Sequence, residues 1–61
     1  MYYRNKKTQE IYKKLAVAID TTNARDGVAV VVYCPEHDEN TVFVREANEF
    51  DIKFESIGEA I

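Results

Sequence analysis

Apolar residues in this chain fall into short runs bounded by turn formers, and within those runs the period is closer to two than to 3.6. The clearest run is Val28-Ala29-Val30-Val31-Val32-Tyr33, entered through Asp26-Gly27. Its β-branched content suits a pleated, buried surface, and Asp-Gly supplies the two positive-φ positions of a type I′ turn. A central strand entered through a hairpin turn is therefore predicted. Val28, Val30 and Val32 point to one side of it, and Ala29, Val31 and Tyr33 to the other, so both faces need cover.

Other segments are read around this strand. Tyr2-Tyr3-Arg4 suits an initial strand and Asn5 to Glu10 a polar turn. Ile11 to Ile19 is ambiguous. At helical spacing Ile11, Leu15 and Ile19 share a face. At strand spacing Leu15, Val17 and Ile19 alternate with Ala16 and Ala18, but Lys13 falls on the parity of Leu15 unless a β-bulge intervenes. The need for a strand beside 28–33 favours strand, with hairpin pairing that begins between Asp20 and Thr22. Cys34-Pro35 ends the central strand, and residues 36–40 form a polar loop. Thr41 to Arg45 is the next strand, Glu46 to Phe50 a single helical turn that drops Phe50 onto the sheet, and Lys53 to Ile57 a short edge strand. Residues 58–61 read as a frayed tail of the single domain 1–61.

The fold class that follows is all-β: about five short strands in a small SH3-like barrel or a strongly bent antiparallel sheet, with one helical turn. At 61 residues the core is near the lower limit of self-sufficiency. A single cysteine, Cys34, offers no internal disulfide, which points to a reducing compartment and to self-association as the further source of stability. There is no apolar run of membrane-spanning length and no signal-peptide pattern, so a cytoplasmic protein with no membrane partner is predicted.

Charge is divided along the chain. Residues 1–14 carry five bases against one acid, and residues 15–61 carry three bases against ten acids, a +4 head on a −7 body. That distribution argues against a general nucleic-acid binder, whose whole face would be basic.

Several short pieces, Tyr3-Arg4, Lys7, Tyr12 through Leu15 to Ala18, Val31-Val32-Tyr33 and Phe43-Val44-Arg45, together resemble a family of short bacterial and phage proteins of unassigned function. Phe43 stands where that family's pattern has tryptophan, and Glu46 where it often has proline. The resemblance implies a compact β-domain and a strand over residues 11–19. It implies no activity, cofactor or catalytic residue.

Candidate chemistry is sparse. Cys34-x-x-His37, followed by Asp38 and Glu39, has the spacing of half a zinc site, but the chain has no other Cys or His to complete it. A buried Cys beside a solvated His is the simpler reading. His37 and its acidic neighbours sit on a loop with no wall to exclude water, so no enzyme, catalytic residue, metal or cofactor is predicted. The basic head, Arg4, Lys6 and Lys7 with Tyr2, Tyr3 and Tyr12, suits phosphate contacts and base stacking or, more simply, a solvated rim. Arg45 follows an apolar strand and has Glu46 and Glu49 just after it, where a local ion pair and a partner contact compete.

The leading function is a non-enzymatic protein-interaction module whose default partner is a second copy. Candidate contacts are Arg4, Lys6, Lys7, Val30 and Arg45, with one valine face or the exposed edge beside it at the homodimer interface. The alternative is a nucleic-acid accessory protein that uses the basic N-terminal face. An acidic decoy of a nucleic-acid-binding protein is a weaker third.

Overall fold

A computed structural model describes residues 1–24 and 26–59. The strands are β1 (Tyr2–Asn5), β2 (Ile11–Asp20), β3 (Val28–Pro35), β4 (Phe43–Glu46) and β5 (Phe54–Gly58), with one helix, α1 (Ala47–Lys53). All pairings are antiparallel and the sheet order is β4-β3-β2-β1-β5. The first four strands form a meander. The α1 segment then carries the chain across one face of the sheet, so that β5 joins the far edge beside β1. Because β4 and β5 lie at opposite edges and do not pair, the sheet stays open. Of the two forms expected, the open antiparallel sheet is the one adopted.

Residues 11–19 are strand, and the reason for their mixed period is a bulge. Lys14 pairs with Tyr33 and Ala16 with Val32, which leaves Leu15 as the extra residue. Either side of it the parity changes. Tyr12 and Lys14 therefore share a face with Tyr33, as Val17 does with Val31, while Lys13 pairs with Cys34 on the opposite face.

The core lies on the face that α1 covers. Val31, Tyr33, Phe50 and Phe54 are buried there, with Tyr3, Tyr12 and Ala47 packed against them. The Phe50 and Phe54 rings stack at 4.4 Å and 9°, and Tyr33 meets both edge-on, at 5.1 Å from Phe50 and 5.3 Å from Phe54. Each such pair contributes roughly 0.5–1.5 kcal/mol beyond its burial. That anchorage matters for α1, because seven residues are too few to hold a helix alone. Glu49 in the first turn and Lys53 in the last complement its dipole, and Phe54 ends it by adopting extended backbone.

Three expectations need correction. The Asp26-Gly27 pair is not a two-residue hairpin turn: the ladder stops at Asp20 opposite Val28, and the Gly27 N–H donates to the Asp20 carbonyl at 2.9 Å. Asp20 causes this, since its Oδ1 accepts from both the Thr22 N–H and the Thr22 hydroxyl at 2.9 Å and bends the chain out of the ladder early. The helical turn expected over 46–50 is a longer helix set one residue later. Gly58 pairs with Tyr2 as part of β5, so it belongs to the sheet; Glu59 follows it, with Oε2 3.5 Å from the amino group of Met1. Ala60 and Ile61, also read as tail, lie outside the described residues.

Candidate functional site

Two surface features stand out, and the first is an edge. β2 has ten residues but β1 has only four, and their pairing ends at Tyr2 opposite Lys13, with one further bond from the Lys14 N–H to the Met1 carbonyl at 3.0 Å. From Leu15 onward β2 pairs with β3 on one side alone among the described residues. Residues 15–19 are all exposed, including Leu15 at 42%, Val17 at 56% and Ile19 at 58%. A nominally internal strand thus presents a five-residue, uncharged outer edge.

Val30, expected at an interface, does not face outward. It is only 6% exposed, and its cross-strand neighbours are Ala18 and Glu46. The surface near it belongs to Ala16, Ala18 and Val44.

The second feature is a basic concavity. Asn5 begins the β1–β2 turn, where its Oδ1 accepts from the backbone N–H groups of Lys7 and Thr8 at 2.9 and 3.0 Å. Gln9 completes the turn at φ 67°, and its N–H donates to the Asn5 carbonyl at 2.8 Å. The Lys6 N–H donates to the Lys53 carbonyl at 3.0 Å, which ties the turn to the end of α1. Arg45, on the helix-bearing face opposite Val31, completes the wall. The result is a concavity of about 200 Å³ lined by Asn5, Lys6, Lys7, Thr8, Arg45 and Lys53.

Arg45 is fixed in orientation. Its Nε donates to the Tyr33 hydroxyl at 3.2 Å and its Nη1 to Glu49 Oε1, in the first turn of α1. The bond to Tyr33 is the chief reason its guanidinium is held further above its ordinary value, and Glu49 adds to it. Of the two readings of Arg45 drawn from the sequence, the local ion pair is present, and the residue also lines the recess.

Arg4 is separated from this group. It alternates with Tyr3 and Asn5 along β1, so it lies on the opposite face, where its Nη2 reaches Glu55 Oε1 at 3.2 Å. Lys53, which sequence reasoning placed at the start of an edge strand, belongs to the concavity. Its signal in the sequence was a base at the end of a helix whose length was underestimated.

Cys34 is fully buried opposite Lys13, and burial, with Glu39 second, pushes its thiol up from the ordinary range. His37 is exposed. No group of three His, Cys, Asp or Glu side chains is placed to hold a metal among the described residues. No helix of the described chain is long and apolar enough to cross a membrane. No family model, curated protein or solved structure matches the chain.

Proposed function

We propose that this chain is a non-enzymatic interaction module that associates with a second copy of itself by pairing the outer edges of β2. The observation that carries this reading is the unpaired Leu15–Ile19 edge, whose backbone groups point outward along a run with no charged residue. Such an edge is a template for another strand, and natural proteins usually blunt one with lysine, proline or a cover. Here the bulge at Leu15 is the only such device among the described residues.

A second copy is the occupant favoured by geometry. Antiparallel pairing of one segment with itself about a two-fold axis satisfies both edges at once, with the same residues contributed by each partner. Val17 and Ile19 then gain apolar neighbours on the helix-bearing face, and Ala16 and Ala18 on the other. Five residues of edge bury less than the roughly 800 Å² per partner of a standard interface, so a weak, transient association is expected. Light scattering at tens of micromolar tests this. A mass near twice the 7.0 kDa of the chain supports the reading, and the single-chain mass at every concentration overturns it.

A further inference from the structure

We propose that the concavity between the β1–β2 turn, Arg45 and the end of α1 is an oxyanion site that takes a single phosphate group. Four cations line it and none of the lining residues is acidic. The described cations outside the recess are partnered, Arg4 by Glu55, Lys13 by Glu39 and Lys14 by the Tyr3 ring, whereas inside it Arg45 alone has a carboxylate, that of Glu49. Among the described residues Lys6, Lys7 and Lys53 have no carboxylate within 4.0 Å. In a chain with eleven acids and eight bases, three neighbouring lysines thus stand without a counter-charge among the described residues. An anion is the ligand that this arrangement stabilises.

Two observations narrow the anion to one phosphate and argue against a long nucleic-acid track. The first is size. About 200 Å³ holds a tetrahedral oxyanion with several remaining waters at roughly 30 Å³ each, and the recess, open to solvent on one side, is too small to follow a backbone. The second is the lack of a stacking platform. No aromatic residue lines the recess, and the Tyr3 and Tyr33 rings are packed edge-on against Phe50. The acidic remainder of the chain would also repel a polyanion.

Arg45 gives the site a built-in competitor. Glu49 already holds one of its terminal nitrogens, so an incoming phosphate shares or displaces that carboxylate. Removing the Glu49 charge should therefore tighten binding. The recess is separate from the β2 edge, so this site stands whether or not the chain self-associates.

The test is titration of the isotope-labelled chain with inorganic phosphate at ionic strength held constant with chloride, followed by backbone and Arg45 Nε resonances. Saturable shifts confined to Asn5–Thr8, Arg45 and Lys53 are expected. Lys7→Gln and Lys53→Gln should each weaken binding about fivefold, Glu49→Gln should tighten it, and Lys13→Gln should leave it unchanged. Shifts that do not saturate, equal loss in Lys13→Gln and Lys7→Gln, or weaker binding in Glu49→Gln would overturn the proposal.

A second arm compares a short oligonucleotide with and without a 5′-phosphate. Tighter binding of the phosphorylated form at the same residues assigns the phosphate to a nucleic-acid end. Binding of inorganic phosphate with neither oligonucleotide assigns it to a small phosphorylated molecule. Equal binding of both oligonucleotides with a steep salt slope means backbone tracking, and sinks the single-phosphate site.

Discussion

Arg45 donates through Nε to the hydroxyl of Tyr33 at 3.2 Å, and that bond joins the aromatic core to the basic recess. Tyr33 is 4% exposed and touches Tyr12, Phe43, Phe50 and Phe54 through its ring, so its hydroxyl is positioned by packing. Tyr33→Phe keeps the ring and removes only the acceptor. A loss of about 1 kcal/mol in a denaturant melt is expected, the usual net worth of one such bond. The Arg45 Nε resonance should shift and broaden in the same variant. An unchanged resonance would mean that Tyr33 does not hold the guanidinium.

Gly27 stands at φ 89° where the loop re-enters β3, and a side chain there would meet nothing within 4 Å. The constraint is therefore the backbone conformation and not space. Gly27→Val should cost about 1–3 kcal/mol and Gly27→Asn clearly less, because asparagine tolerates the left-handed region and β-branched residues do not. Equal melting of the two variants would show that φ at this position is relaxed by the loop.

Asp38 organises the β3–β4 loop: its Oδ2 accepts from the Thr41 hydroxyl at 2.7 Å and its Oδ1 from the Asn40 N–H at 3.1 Å. The Thr41 bond first, and the backbone bonds after it, hold this carboxyl below the ordinary carboxylate range. The folded state therefore favours the charged form. The stabilisation is present above the unfolded-state value, near 3.9, and is lost as pH falls through the lower folded value. Asp38→Asn should be less stable than wild type at neutral pH, and the gap should close toward acid. A gap constant from pH 7 to 2 would contradict the assignment.

The strand pattern was legible because β-branched runs and turn formers agree along most of the chain, as at Val28–Tyr33 and over Thr41–Arg45, although Thr41 and Val42 belong to the loop and β4 starts at Phe43. Residues 11–19 resisted periodicity for a definite reason. Leu15 is a bulge residue, so no single parity fits both Tyr12 and Val17, and only the need for a partner to β3 resolved the segment. The Asp26-Gly27 signal failed because Asp20 and Thr22 turn the chain before it is reached. Lys6, Lys7 and Arg45 were each suspected singly. Their convergence was not readable, since it depends on α1 crossing the sheet and carrying Lys53 to the Lys6 N–H. The edge of β2 was readable in part: a four-residue β1 cannot cover a ten-residue neighbour.

Self-association through that edge is tested most directly by sedimentation equilibrium on wild type, Val17→Lys and Ile52→Lys. Both substitutions place a lysine at an exposed apolar position, 56% exposed on the β2 edge and 70% exposed on α1, so neither disturbs the core. An edge lysine blocks strand pairing, and one on the outer side of α1 does not. A concentration-dependent monomer–dimer equilibrium is expected for wild type and Ile52→Lys, and a 7.0 kDa monomer for a folded Val17→Lys. A wild-type monomer throughout, or a dimer that survives in Val17→Lys, would contradict self-association through this edge.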